Sequence, residues 1–279
     1  MEKLFHIPKD IKRQLEKSVR IVKEENQDRV ILITGREGSG KSLLARQLGY
    51  YYSLLLQTKF DMNNIAFTRE QFADMVRNFQ KNSVVVFDEA FKGLSSKGAL
   101  SKENKELISL LIECRQRGHI IFIVLPSIFI LEKYIAVFRS HSLFNVAISK
   151  RNYKHRFYKI YNYNNKLKLY ILGQRYMSYS RPKINKKWRF YITPPPTITN
   201  EEYEKKKRES FKRNDEEKKI ENRIDWEDEI ISRKIQYDEE GNKDISDKGM
   251  YYLLNKSKSN YFLRKKRIKE SKKPPKTPT

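Results

Sequence analysis

The sequence lacks several features that would place the chain outside the cytoplasm. It has one cysteine, Cys114, so no disulfide can form within the chain, which suits a reducing compartment. Its first residues carry charge and a proline where a secretory signal needs an apolar stretch. Its longest apolar run, residues 120–131, is interrupted by Pro126 and is shorter than the ~20 residues of a membrane span. We therefore expect a soluble cytoplasmic protein without direct membrane insertion.

Acidic side chains are missing from a long central stretch. The net charge is +25, yet residues 133–200 contain no Asp or Glu, and residues 151–200 hold 12 basic and 11 aromatic side chains. Basic groups neutralise phosphates and aromatic rings stack on bases, so this pattern predicts a nucleic-acid surface. Two alternatives stay open: a generally basic surface, and aromatic side chains that pack on a core. The predicted contacts are Lys150, Arg151, Lys154, Arg156, Lys159, Arg181, Lys183, Lys186, Lys187 and Arg189.

Short apolar runs alternate with helical periodicity through the first half of the chain. Val30–Thr34, Ser83–Phe87 and Ile120–Leu125 are apolar and rich in β-branched residues, as buried parallel strands are. Segments of helical spacing separate them. The pattern predicts an α/β fold with a mostly parallel sheet sandwiched by helices.

The pattern changes after residue 150. Asn164-Asn165 lies between two runs of strand character, which predicts a basic β-hairpin extension, and Pro194-Pro195-Pro196 predicts a linker. The charged segment that follows predicts a solvated helix, whose isoleucine stripe could dock a protein partner. The predicted divisions are an N-terminal helix (1–27), an α/β core (28–150), the hairpin extension (151–193), the linker (194–200), a charged helical region (201–270) and a disordered tail (271–279).

One glycine-rich segment fits G-x-x-x-x-G-K-[ST] in full, with a predicted strand before it and a helix after it. Its backbone N–H groups and the helix N-terminus would hold phosphates. Lys41 would contact the β- and γ-phosphates of ATP, and Ser42 would ligate Mg²⁺. The predicted nucleotide-binding residues are Gly35, Arg36, Glu37, Gly38, Ser39, Gly40, Lys41, Ser42 and Leu43.

A second motif follows about 47 residues downstream. The apolar run Val84–Phe87 ends in Asp88-Glu89, which resembles the Walker B motif. Asp88 would hold the magnesium through a water, and Glu89 would polarise the attacking water. Together the two motifs identify a P-loop NTPase that hydrolyses ATP with Mg²⁺.

The order of the motifs resembles the additional-strand, RecA-like branch of P-loop NTPases. In that branch the strand after Walker B, here Ile120–Leu125, inserts between the two motif strands. The resemblance implies that a polar residue at the end of this strand senses the γ-phosphate, and Ser127 is the candidate. An N-cap for the following helix is an equal alternative for Ser127, and both could hold.

Residues 28–150 resemble the HerA/FtsK superfamily of DNA-translocating and genome-packaging ATPases, through the DEA motif at Asp88 and the later helix that ends in Arg115-Gln116-Arg117-Gly118. The sequence departs from that family at the sensor strand, which ends in Pro126-Ser127 instead of Gln. The resemblance implies a homo-oligomeric ring, a hexamer, acting on DNA, with double-stranded DNA favoured. It also implies an arginine finger from a neighbouring subunit, for which Arg115, Arg117 and Arg139 are candidates. The alternatives are surface arginines, and, for the whole chain, an ATP-dependent DNA-binding switch or an assembly ATPase of a phage or secretion machine.

Overall fold

The computed structural model describes residues 5–88, 97–149, 152, 155–239, 246–254 and 257–271. The chain divides into two compact units, Met1–Phe211 and Lys212–Thr279. The strands are β1 (Arg29–Gly35), β2 (Ile65–Ala66), β3 (Val84–Phe87), β4 (Ile120–Leu125), β5 (Ser142–Ile148), β6 (Arg156–Tyr161) and β7 (Trp188–Phe190). The helices are α1 (Lys9–Glu25), α2 (Lys41–Leu56), α3 (Arg69–Asn78), α4 (Lys97–Glu113), α5 (Tyr163–Gly173), α6 (Asn200–Glu239), α7 (Asp247–Leu253) and α8 (Lys258–Ser271).

All seven strands form one sheet in the order β2-β3-β4-β1-β5-β6-β7. The strands from β2 to β5 run parallel, whereas β6 and β7 extend the sheet antiparallel. Strand β4 lies between β1 and β3, so the predicted insertion between the two motif strands is confirmed. Because parallel strands end at the same edge, the phosphate loop after β1 and Asp88 after β3 come to one side of the sheet.

The core has two layers, one on each face of the sheet, because neighbouring residues of a strand point to opposite faces. Ile31 and Ile33 pack on the face covered by α1 and α2, whereas Val30 and Leu32 pack on the face of α3 and α4. The predicted α/β sandwich is therefore confirmed.

The predicted hairpin around Asn164-Asn165 is wrong, since residues 163–173 form helix α5. The Asn162 side chain caps this helix by accepting a hydrogen bond from the Asn165 N–H at 3.0 Å. Lys166 is fully buried, and its ammonium donates to the carbonyl oxygens of Val137 (3.2 Å) and Ser140 (2.5 Å). The local alternation of apolar and polar residues is typical of a strand, but these long-range contacts stabilise a helix instead. Strands β6 and β7 belong to the main sheet and do not form a separate extension.

The predicted linker at 194–200 packs against the rest of the first unit. The Gln47 amide donates to the carbonyl oxygens of Tyr191 (2.8 Å) and Thr193 (2.7 Å), and Ile198 is fully buried. We call residues 191–199 the strap. Helix α6 begins directly after it, and the boundary between the two units falls within α6, after Phe211.

The second unit has its own small core. Ile231 and Ile235 of α6 pack with Met250, Leu254 and Tyr261. Part of the isoleucine stripe that was predicted to dock a partner is thus buried within the chain. The other two isoleucines of the predicted stripe, Ile220 and Ile224, belong to α6. Most of the predicted disordered tail lies outside the described residues.

Cys114 is buried at the end of α4, and burial raises the pKa of its thiol to about 11. In the described part of the chain no helix is both long enough and apolar enough to cross a membrane.

Candidate nucleotide site

The phosphate loop connects β1 to α2, and two of its glycines are required by their surroundings. Gly35 has φ +150°, and a Cβ there would lie 2.4 Å from the Val146 carbonyl oxygen. Gly40 has φ +95° and caps α2, where a Cβ would approach the side chains of Arg156 and Phe190. Only glycine fits both the backbone conformation and the space at these positions.

Lys41 and Ser42 form the first turn of α2, where free backbone N–H groups and the helix dipole favour an anion. The Lys41 ammonium donates to the carbonyl oxygens of Gly35 (2.8 Å) and Arg36 (3.0 Å). It therefore stays over the loop it follows, within reach of a phosphate held there.

Asp88 follows β3 directly and is fully buried. Its N–H donates to the Ala66 carbonyl oxygen of β2 at 2.8 Å, which fixes the backbone at the strand end. The hydroxyl of Tyr203, from the first turn of α6, donates to the Asp88 carboxylate. It also interacts with the Ser42 side chain.

Tyr203 is nearly buried in a cage of cationic and aromatic groups. The Arg46 guanidinium lies 4.2 Å from its ring centroid, the Lys207 ammonium 5.6 Å, and the Phe67 ring 5.4 Å. Burial, and then the neighbouring Asp88 carboxylate, raise the pKa of Tyr203 well above its usual value. The phenol therefore stays protonated and remains a hydrogen-bond donor to Asp88 at physiological pH.

These groups line one cleft of about 700 Å³ at the carboxyl edge of the sheet. Its charged and polar lining consists of Glu37, Lys41, Ser42, Arg46, Asp88, Tyr203, Glu204 and Lys207. The donor set fits Mg²⁺, which prefers hydroxyl and carboxylate oxygens, because one oxygen atom, the Tyr203 hydroxyl, interacts with both Ser42 and Asp88. Because Ser42 and Asp88 both contact this one oxygen, they lie close enough together to bind the same cation.

The other predicted nucleotide contacts lie in the same loop. Gly38, Gly40 and Leu43 line the cleft, whereas Ser39 is buried and Arg36 is exposed. Glu89, the predicted base, lies outside the described residues. Its role stays a prediction.

Ser127 caps a short 3-10 helix, Ile128–Ile130, by accepting from the Phe129 N–H at 3.3 Å. The capping alternative is therefore correct. The Tyr179 hydroxyl accepts from the Ile128 N–H at 2.7 Å beside it. The sensor role of Ser127 remains a prediction.

The three candidate finger arginines lie away from the phosphate loop of their own chain. Arg115 and Arg139 line a second cleft, which also contains Arg29 at the start of β1. Arg139 forms a buried ion pair with Asp28 and donates to the Leu111 carbonyl oxygen at 2.6 Å. Arg117 donates to the Phe79 carbonyl oxygen at 3.1 Å. These contacts give Arg139 and Arg117 structural roles, and exposed Arg115 is the least committed of the three.

The predicted nucleic-acid contacts separate into groups. Lys150, Arg151 and Lys154 lie outside the described residues. Arg156 begins β6 and donates to the Gly38 carbonyl oxygen at 3.3 Å, so it contacts the phosphate loop. The others lie on β6, on β7 or in the segment before β7, namely Lys159, Arg181, Lys183, Lys186, Lys187 and Arg189.

We call Phe157, Lys159, Lys187 and Arg189 the basic surface. The Lys187 ammonium lies 5.0 Å from the Phe157 ring centroid, and Arg189 pairs with Phe157 across the two strands. Burial and the nearby Lys187 lower the pKa of Lys159. Lys186 differs from these, because it forms an ion pair with Asp10 at 2.6 Å.

Tyr203, Arg46 and Lys207 could not be predicted from the sequence. Tyr203 and Arg46 are separated from their partners by more than 100 residues of chain. Lys207 is one of many cations on a helix. Hydrophobic periodicity therefore predicts none of the three. One local signal was present: Thr199 and Glu202 have the spacing of a capping box and mark the start of α6 three to four residues before Tyr203.

The family described as Novel STAND NTPase 3 (nSTAND3) matches residues 13–177, which include both Walker motifs. No curated protein matches the chain significantly.

Among solved structures, the N-terminal domain of zonular occludens toxin from Neisseria meningitidis is 16% identical with a TM-score of 0.31, covering 52% of this chain and 91% of its own. The KaiC-like protein PH0186 from Pyrococcus horikoshii OT3 is 16% identical with a TM-score of 0.37, covering 60% of this chain and 87% of its own.

Proposed function

The chain belongs to the nSTAND3 family of P-loop NTPases, and from this premise we propose that it binds Mg–ATP in the cleft after β1 and uses hydrolysis to act on DNA. The observation that carries the proposal is the convergence of Lys41, Ser42 and Asp88 on one cleft. These three residues supply the cation and the oxygen ligands that phosphoryl transfer needs.

Each residue has a distinct part in this proposal. Lys41 would neutralise the β- and γ-phosphates from the first turn of α2. Ser42 and Asp88 would hold Mg²⁺, which supplies charge neutralisation on the phosphate oxygens when bound. Glu89 follows Asp88 directly and would orient the attacking water.

The basic surface supports DNA as the polyanion. Lys159, Lys187 and Arg189 lie together on adjacent antiparallel strands, beside the aromatic ring of Phe157. Residues 133–200 offer no acidic side chain to offset them. Such a surface attracts phosphates and leaves a ring available for stacking.

We extend the proposal to the finer class suggested by the resemblance to HerA/FtsK ATPases. In that class the chain forms a ring, and translocates or packages double-stranded DNA. The position of β4 between β1 and β3 agrees with that branch, and exposed Arg115 is the best placed of the three arginines to reach a neighbouring subunit.

The test is steady-state ATP hydrolysis with and without long double-stranded DNA across a salt series. We expect DNA to raise the rate several-fold at low salt and the increase to vanish at high salt. Lys41→Ala should lower the rate at least ~100-fold with or without DNA, since removing a group that stabilises transition-state charge costs this much. Lys187→Glu/Arg189→Glu should keep the basal rate and lose the stimulation.

The matched controls are Lys17→Ala and Arg13→Glu/Lys17→Glu, which change exposed charges on α1. Both should behave as wild type. Hydrolysis that ignores DNA would reject the DNA part of the proposal and keep the nucleotide part. Hydrolysis that survives Lys41→Ala would reject the site itself.

A further inference from the structure

The strap and the start of α6 are fixed to the nucleotide site at several points. The Gln47 amide donates to the carbonyl oxygens of Tyr191 and Thr193, and the preceding residue of α2, Arg46, donates to the Asn200 side chain at 3.0 Å. Both holding residues belong to the helix that begins in the phosphate loop. The strap therefore follows the position of α2.

The first turn of α6 is set by a capping box. The Glu202 carboxylate accepts from the N–H and hydroxyl of Thr199, and the Glu202 N–H donates to the Thr199 hydroxyl. Ile198, directly before this box, is fully buried. Tyr203 therefore lies in the first turn of a helix whose start is fixed by hydrogen bonds.

Tyr203 uses this position to reach the metal ligands. Its hydroxyl donates to the Asp88 carboxylate and interacts with Ser42, and Asp88 is completely shielded from solvent. A hydrated Mg²⁺ bound by Ser42 and Asp88 would need the space and the lone pairs that the phenol takes. The phenol and the cation therefore exclude each other.

We propose that Tyr203 is a gate on the metal site, which competes with Mg²⁺ for Asp88 and Ser42 and must leave before Mg–nucleotide is held. This inference rests on the proposed Mg²⁺ site. It adds a residue, outside both Walker motifs, that sets the Mg²⁺ concentration at which the enzyme is loaded.

The other contacts of Tyr203 explain how the gate can open without unfolding. Arg46 and Lys207 lie against the faces of the ring, and cations in a cleft are attracted to the phosphates of a nucleotide. When phosphates enter, they offer both cations stronger partners than the ring. The same ligand that needs Asp88 thus weakens two of the contacts that keep Tyr203 on it.

The experiment measures binding of a fluorescent ATP analogue while Mg²⁺ is titrated, for wild type and Tyr203→Phe. Phenylalanine keeps the ring and removes only the hydrogen bond to a charged group. The Mg²⁺ concentration at half-saturation should fall at least about tenfold, and analogue affinity in EDTA should not change. Tyr170→Phe is the control, since it removes a buried hydroxyl that donates to the Leu131 carbonyl oxygen (2.8 Å) outside the cleft.

A second measurement needs no substitution. In wild type, amide hydrogen exchange over residues 199–207 should speed up with Mg²⁺ and ATP and should not speed up with ATP in EDTA. This readout decides the question if Tyr203→Phe does not fold.

The outcomes separate the gate from the site it acts on. Equal Mg²⁺ dependence in Tyr203→Phe and wild type, with unchanged exchange, overturns the gate and keeps the nucleotide site. Mg²⁺-dependent binding that appears only in Tyr203→Phe supports the gate. If no protein shows Mg²⁺-dependent binding, the gate and the proposed Mg²⁺ site are both overturned.

Discussion

A buried histidine makes the stability of this protein depend on pH. His119 is fully buried at the start of β4, and burial is the main cause that lowers its pKa to about 4. Its neutral ring is part of the core between the turn after α4 and the parallel strands. Protonation of this ring therefore lowers the stability of the folded protein.

We predict that stability falls as the pH drops from 6.5 towards 4. In this window the unfolded chain binds a proton at His119 that the folded chain does not, so the free energy of unfolding decreases as pH falls. The full window corresponds to at most ~3 kcal/mol. Urea unfolding at pH 8, 6 and 5 measures it, and His119→Gln should show a smaller loss between pH 8 and 5.

An equal loss in His119→Gln and wild type would assign the acid sensitivity to other groups. His141 has a pKa lowered in the same direction, so the variant should remove part of the loss and not all of it.

The residues proposed to bind phosphate and Mg²⁺ in the first Walker motif could be predicted from sequence, because their neighbours in space are neighbours in the chain. Gly35, Lys41 and Ser42 are within one loop and one helical turn. Asp88 could be added because it ends a predicted parallel strand. Tyr203 could not, since its contact with Asp88 spans 115 residues and depends on the path of the strap.

At the scale of elements, short polar motifs determine where helices begin. Thr199 and Glu202 cap α6, and Asn162 caps α5. The first of these motifs was readable in the sequence and was passed over. The second precedes Asn164-Asn165, which predicted a turn because Asn also favours left-handed backbone.

We predict that Thr199→Val lowers the free energy of unfolding by about 1 kcal/mol, since it removes the hydroxyl of a capping box. Valine keeps the shape of threonine, so packing is preserved. Thr197→Val changes an exposed threonine two residues earlier and should have no effect. Denaturant unfolding of both variants beside wild type measures the difference, and equal midpoints would show that the cap does not stabilise α6.

The position of β4 between β1 and β3 could be predicted from the sequence, whereas the structure at the end of the sheet could not. Apolar runs predicted β1, β3 and β4, and the motif order placed β4 in the middle. The segment after β6 has alternation that suits a strand, but Lys166 reaches carbonyl oxygens some 26 to 30 residues earlier and is held there within a helix. A contact of that kind has no local signature.

At the scale of the whole molecule, the described residues of each unit form a core of their own. The two buried clusters of the sheet draw only on residues up to Tyr203, with Phe211 packed at their edge. The third buried cluster lies within the second unit and consists of Ile231, Ile235, Met250, Leu254 and Tyr261. Sequence composition placed the division near residue 200, because the prolines were taken for a linker, whereas the strap is part of the first unit.

We predict that a fragment of residues 1–211 folds and binds nucleotide as the full chain does. It keeps both clusters of the sheet, the strap, the capping box and Tyr203. Circular dichroism, thermal unfolding and binding of a fluorescent ATP analogue check this. A fragment ending at residue 190 should be less stable, because it loses Ile198 and the carbonyl oxygens that bind Gln47. Aggregation of 1–211, or loss of its nucleotide binding, would contradict the division.

The burial of Cys114 has a practical consequence for studying this protein. It is the only cysteine, it is almost inaccessible, and its thiol stays protonated near neutral pH, so maleimide dyes should react with it slowly. The natural chain should therefore incorporate almost no thiol-reactive label. A cysteine introduced at exposed Thr197 would place a spin label or fluorophore on the strap alone, and the opening of the gate could be followed in real time in an otherwise unaltered protein.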